Sequence, residues 1–151
     1  MTIYFYSTRG AYGAFSNFAR YGVDLDDQWW STVEHYFQGQ KFHDSDYRER
    51  IRTAKTPKEA ATLGRSREVP LREDWEQVKD AVKAKAVLRK FELHAEIRRV
   101  LLDTGEEPIV EDAPGDYYWG CGKDGSGRNQ LGKILEEVRA TLRSREAPSA
   151  A

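Results

Sequence analysis

The stretch Trp30-Ser-Thr-Val-Glu34-His-Tyr-Phe-Gln38-Gly-Gln-Lys41-Phe42 decides how this chain is read. Its spacing predicts a helix over 31–42, with Val33, Tyr36 and Phe37 on the apolar side. Glu34, Gln38 and Lys41 then fall at i, i+4 and i+7, within about 60° of one another around the helix. A carboxylate and an amine projecting together from a half-buried helix can supply a proton donor or acceptor and a nucleophile. Burial of the lysine stem would lower its pKa toward neutrality and free the amine. The same spacing also describes an ordinary helical ion pair in water, so it does not by itself establish a site. His35 fits either a general base or a buried structural histidine.

Outward from this segment the pattern stays helical. Helices are expected over 44–53, over 56–63 with Pro57 in the first turn and Gly64 as the stop, and over 75–91 with Asp74 as N-cap. Another runs over 94–103 to Thr104-Gly105, and a last one over 129–143 lines up Leu131, Ile134, Leu135, Val138 and Leu142. Strands are expected only at 3–6 and 108–111. The fold class is therefore α+β, predominantly helical, as a single domain over 1–144 with a frayed tail at 145–151.

With 151 residues, 39% of them hydrophobic and 32% charged, the chain has the composition of a globular domain. No run is apolar enough to span a bilayer, and MTIYFYSTRG does not read as a signal peptide, so a cytoplasmic location is expected. One cysteine, Cys121, and three histidines build neither a disulfide framework nor a zinc site, and no metal or cofactor is expected. Cys121 itself has no clear histidine partner and reads as incidental. The net charge of −1 gives no global pull toward nucleic acid. Locally, 48–72 holds eight Lys and Arg against three acids, a basic face for phosphates or a solvated helix surface, whereas 106–116 holds five acids and no base.

Asp116-Tyr-Tyr-Trp119-Gly120-Cys-Gly122-Lys-Asp-Gly125-Ser-Gly127-Arg-Asn129-Gln-Leu-Gly132 is the second informative segment. Its glycines run into a helix start, as in a phosphate cradle, although the Walker signature is missing. Asp116 among aromatic rings could stabilise positive charge on a sugar while the rings sandwich a base. Plain turns and core-covering rings fit the same residues. Tyr12-Gly-Ala-Phe15-Ser16-Asn17-Phe18 suits a pocket wall in which Ser16 or Asn17 orients a ligand. Trp75, first on its helix, is a further candidate, though packing is the usual role there.

In this order the blocks Tyr12-Gly-x-Phe-Ser-Asn-Phe18, Glu34-His-Tyr-Phe-Gln-x-Gln-Lys-Phe42, Trp75-x-x-Val-Lys79 with Lys90-Phe91, Ile-Val-Glu111, and Asp116-x-x-Trp-Gly-x-Gly with Gly127-x-Asn-x-Leu-Gly132 resemble the NADAR (YbiA-like) family. Ser31 departs from an expected proline, and Cys121 falls at a variable position. The resemblance implies a YbiA-like domain that hydrolyses N-glycosidic bonds without a cofactor. Two substrate classes come with it: ribosylamino-pyrimidine phosphates of riboflavin synthesis, and ADP-ribosylated guanine in DNA. A non-catalytic ADP-ribose or nucleotide reader is the alternative from another class. Onto this chain it carries Glu34, Lys41 and Asp116 as catalytic residues. Substrate contacts fall to Ser16, Asn17, Phe18 and Gln38, to Trp75 and Trp119, and to Gly120, Gly127 and Asn129.

Both substrates join ribose to an exocyclic amine, which can open to an imine. An unprotonated Lys41 can exchange with that imine while Glu34 moves protons and Asp116 stabilises cationic character. A scheme with only Glu34 and Asp116, one protonating the leaving group and the other activating water, fits the residues equally.

Overall fold

The computed structural model of the chain describes residues 1–146. In chain order its elements are β1 (Ile3–Phe5), β2 (Val23–Leu25), β3 (Gln28–Trp30), α1 (Val33–Gly39), α2 (Ser45–Arg52), α3 (Pro57–Arg65), α4 (Trp75–Leu93), α5 (Ala95–Asp103), β4 (Ile109–Glu111) and α6 (Gln130–Glu146). Helix dominates, as expected of a predominantly helical α+β fold. Among the described residues no helix is long and apolar enough to cross a membrane. The chain divides into two compact units, residues 17–93 and residues 1–16 together with those from 94 onward.

In the 17–93 unit, α1 is surrounded by α2, α3, α4 and β3. Local chemistry sets the helix starts. Thr32 accepts the His35 amide, Asp44 accepts that of Tyr47, and Thr56 accepts that of Glu59 with Pro57 in the first turn. Asp74 precedes α4 as expected, but its carboxylate pairs with Arg72 at 2.6 Å while its main-chain oxygen receives the Gln77 and Val78 amides. Phe42, Tyr47, Ile51, Ala54 and Ala60 pack as one core cluster, with the Tyr47 ring edge-on to Phe42 at 4.8 Å.

Two departures from the sequence reading have clear causes. Gly64 does not stop α3, which runs on to Arg65; a Cβ at Gly64 would lie 1.9 Å from the side-chain oxygen of Gln38, so the glycine serves close packing. The β2–β3 hairpin was not anticipated. Its register is Val23↔Trp30, Asp24↔Trp29 and Leu25↔Gln28, and its turn places Asp26 and Asp27 at φ 55° and 62°. Hairpin turns of this hand usually advertise themselves with Asn-Gly or Asp-Gly. Here Asp26 is instead held by the Tyr36 hydroxyl and the Lys85 ammonium, both at 2.9 Å.

In the other unit, β1 pairs parallel with β4, Ile3 opposite Ile109 and Phe5 opposite Glu111. Helix α6 packs on β4 and α5 through Leu131, Ile134, Leu135, Val138 and Leu142, all buried as the stripe predicts. Arg139 is buried on the same helix, where its guanidinium donates to the Thr104 hydroxyl and the Glu107 carbonyl, each at 2.8 Å. Because α6 extends to Glu146, Arg145 and Glu146 continue the helix instead of opening the expected tail; 147–151 lie outside the described residues.

Candidate active site

All seven residues of α1 are buried, including Glu34, His35 and Gln38. The segment is therefore not a half-exposed amphipathic helix with a solvated charge pair. Glu34 is 7% exposed, and its Oε2 receives the Gln38 side-chain amide at 2.7 Å. A buried carboxylate is costly unless hydrogen-bonded or paired, so this bond to the residue one turn later holds the group in place. The Gln38 oxygen faces away from Glu34 against Gly64 and has no hydrogen-bond partner.

Lys41 lies just beyond α1, not on it. Gln40 caps the helix, and the chain tightens into i→i−3 bonds from the Lys41 amide to the Gln38 carbonyl and from Phe42 to Gly39. The lysine amine is 5.9 Å from the centre of the Phe37 ring. Burial is the main influence on it and lowers its pKa to about 8; Glu34 pulls the other way, and Arg67, Lys83 and Arg65 add to the lowering. At pH 7 that leaves about a tenth of the amine unprotonated, against well under a thousandth for a lysine in water.

His35 is fully buried and satisfied at both ring nitrogens. Nε2 lies 2.9 Å from the Ala54 carbonyl and must donate to it, which leaves Nδ1, 2.8 Å from the Thr32 hydroxyl, as an acceptor. Burial lowers its pKa. This is the structural histidine of the two readings. Asn17 stands before the start of α1, its main-chain oxygen receiving the Glu34 amide at 3.2 Å. Its side-chain oxygen is buried without a hydrogen-bond partner, and Phe18 beside it is exposed. Trp75 is buried with its ring 5.0 Å from Phe37, a position that packing explains. Ser16, in the other unit, is buried at the end of the short 3-10 turn Gly13–Phe15.

The glycine-rich segment is built differently from the expected cradle. The amides of Gly122, Gly125, Gly127 and Asn129 donate to carbonyls of Ala113, Gly122, Cys121 and Gly120. At the start of α6, the Gln130 and Leu131 amides donate to Tyr118 and Trp119. These groups are engaged within the fold and do not converge on an open position, which corrects the phosphate-cradle reading. A Cβ at Gly127 would lie 2.5 Å from the Gly120 carbonyl oxygen, so this glycine admits the chain's own backbone. Gly120 is similarly crowded by Ala113 at 2.8 Å. Asn129, at φ 53°, donates its amide to the Ile109 carbonyl and accepts the Glu111 amide, tying the segment to β4. Asp116 accepts the Tyr118 and Trp119 amides at 3.0 and 2.8 Å, which shapes the turn bearing Trp119. Cys121 lies beside Asp112, and burial and that carboxylate raise its pKa, the opposite of an activated nucleophile.

The basic stretch is largely paired with neighbouring groups. Arg48 donates to Gln40, Arg50 to Glu68, Arg52 to Glu49, and Arg72 to Asp74. The sequence reading assigned no role to Lys83 and Lys90, each 2% exposed on α4. Burial, followed by Lys83, lowers the pKa of Lys90 to about 7. The available signal was their spacing of seven within a stripe that also contains Ala86, Val87 and Phe91.

Comparison with known proteins places this arrangement in context. The model of the NADAR domain matches residues 4–143. An N-glycosidase of Nostoc punctiforme is 50% identical over 147 residues, covering 95% of this chain and 94% of its own length. N-glycosidase YbiA of Escherichia coli is 51% identical over 140 residues, covering 93% of this chain and 88% of its own. The NMR structure of the Escherichia coli protein YbiA superposes with a TM-score of 0.89 at 46% identity, covering 99% of this chain and 91% of that one. A chloroplastic riboflavin biosynthesis protein of maize, PYRR, is 37% identical over 93% of this chain, which spans 25% of that protein. The chain belongs to the NADAR family, among relatives that are N-glycosidases.

Proposed function

We propose that the protein is an N-glycosidase that cleaves the bond between a phosphorylated ribose and an exocyclic amine of a base, with Lys41 as nucleophile and Glu34 as general acid and base. The observation that carries this reading is the half-buried Lys41 amine, its pKa lowered to about 8, close in sequence to a buried Glu34 fixed by Gln38. A structural ion pair has no use for a lysine that gives up its proton near neutrality; a nucleophile does.

The chemistry runs in balanced steps. The substrate nitrogen pushes its lone pair toward C1, the ring C1–O bond breaks, and the ring oxygen takes a proton from Glu34, leaving a protonated imine. The free Lys41 amine adds to C1, forming a geminal diamine. Glu34, now a carboxylate, moves one proton from the lysine nitrogen to the base nitrogen. The bond from C1 to the base breaks, releasing a neutral amine and leaving a lysine iminium. Water adds at C1, its proton returns to Glu34, and the sugar departs as an aldehyde with Lys41 restored. Asn17, with its unpartnered buried oxygen, serves as an acceptor for a substrate hydroxyl or amine.

For the base, we favour a ribosylamino-pyrimidine phosphate. The maize relative is named for riboflavin biosynthesis, as is one from Vibrio vulnificus that is 35% identical over 93% of this chain. The pairing of Arg48, Arg50, Arg52 and Arg72 weakens the case for a DNA-binding face, since such binding draws on cations that neutralise phosphates. Two assays run in parallel test the reading: release of free base from a ribosylamino-pyrimidine phosphate, and release of ADP-ribose from modified guanine in DNA. Turnover in the first is expected. Turnover in the second alone would move the substrate to DNA, and tight ADP-ribose binding with neither turnover would make the protein a reader.

A further inference from the structure

The lysines on α4 bear on the same chemistry. Lys83 is buried with its ammonium 3.8 Å from the centre of the Phe37 ring, and the Lys41 amine lies 5.9 Å from that same centre. An aromatic face holds an ammonium through its quadrupole without cancelling the charge. The charge of Lys83 therefore remains effective in a region from which water is largely excluded, where Coulomb interactions are poorly screened.

We propose that Lys83 is a positioning residue for the Lys41 amine: seated on the Phe37 ring, its ammonium disfavours a proton on Lys41 and keeps part of that amine free at neutral pH. This rests on the reading of Lys41 as the nucleophile. Four charged groups act on Lys41. Glu34 on α1 favours its protonation, while Arg67 after α3, Lys83 on α4 and Arg65 in the last turn of α3 oppose it. Arg65 and Arg67 are exposed, and the Arg67 guanidinium is turned to the Gly64 and Ser66 carbonyls at 2.9 Å. Solvent and salt weaken their influence on Lys41 far more than that of buried Lys83.

The test reads the Lys41 amine directly, without substrate. The folded protein is acylated with acetic anhydride across a pH series, and modification of the Lys41 peptide is followed by mass spectrometry. The wild-type midpoint is expected near 8. Lys83→Met, with its fold checked by circular dichroism, is expected to raise the midpoint by about one unit, leaving about tenfold less free amine at pH 7. Lys83→Arg, which keeps the charge, is expected to keep the midpoint low. An unmoved midpoint in folded Lys83→Met overturns the proposal. Should Lys83→Met fail to fold, Lys83→Gln is read in its place, with the same rise expected and an unmoved midpoint again overturning the proposal. In the wild type, a midpoint that climbs toward the ordinary lysine range at about 0.5 M salt, where exposed charges are screened, assigns the effect to Arg65 and Arg67 and overturns it as well. Failure of the nucleophile reading is separate: it would show as full turnover by Lys41→Ala, whatever the midpoint.

Discussion

Helix α1 and the segment 116–132 both hold polar groups away from bulk water, and they do so in opposite ways. Around α1, a carboxylate and the lysine amines of α4 are buried, and Asn17 and Gln38 each keep a side-chain oxygen without a partner. In 116–132, backbone amides find carbonyls of their own neighbourhood and Asn129 bonds at both ends of its side chain. The first arrangement sacrifices stability and gains reactive groups with shifted proton affinity; the second has the character of a scaffold. Substitutions in α1 and its flanks should therefore remove turnover with little loss of fold, and substitutions in 116–132 should do the reverse.

The largest effect is expected from Lys41→Ala, with kcat/KM falling at least about a thousandfold while the thermal midpoint holds or rises, since an amine buried at a penalty is removed. Glu34→Gln keeps an acceptor for Gln38 and should lower kcat by about a hundredfold or more. An unchanged rate for either, measured by release of free base, would break the comparison on the α1 side. Next comes Gly64→Ala. The new methyl collides with Gln38, so both stability, by about 1–3 kcal/mol in denaturant unfolding, and turnover should drop. Gly127→Ala should show a comparable loss of stability, with kcat retained in the folded fraction. A variant that folds normally but loses kcat would place the glycine-rich segment in the chemistry.

The pH dependence sharpens the same contrast. Because the first step needs the free Lys41 amine and a proton on Glu34 together, one proton between the pair, kcat/KM should be level just below about 8 and fall about tenfold per pH unit above it. His35 leaves its signature in stability. Its folded pKa is depressed below the ordinary value of 6.5, so below that pH the unfolded chain takes up a proton that the folded protein refuses. Stability should then fall with decreasing pH by up to about 1.4 kcal/mol per unit until the folded pKa is reached, and His35→Gln should flatten that slope. The smallest effect is expected from Asp116→Asn, which keeps the oxygen that accepts the Tyr118 and Trp119 amides and removes only the charge. Unchanged kcat is expected of a residue that shapes its turn; a fall in kcat with unchanged stability would bring its charge into the chemistry and break the comparison.

Much of this was legible in the sequence because it follows from local rules. Thr32, Asp44 and Thr56 announce their helices, and the leucine stripe of α6 announces its buried face. The spacing of Glu34 and Lys41 was legible, but the burial of α1 was not: being enclosed by α2, α3, α4 and β3 is a tertiary fact that a seven-residue helix cannot declare. The same holds for Lys83, whose partner ring is on another helix, and for Gly64, which looks like a helix stop until Gln38 is set against it. The glycines of 116–132 misled for a related reason. Glycine permits close approach of something, and only the structure tells whether that something is a ligand or the chain itself.

The most direct measurement of the central claim is reductive trapping. The protein is incubated with a ribosylamino-pyrimidine phosphate, treated with sodium borohydride during turnover, digested and analysed by mass spectrometry. The account predicts a borohydride-dependent adduct of reduced ribose phosphate on the peptide containing Lys41, absent from Lys41→Ala. Full turnover with no adduct, or an adduct on another lysine, would contradict it.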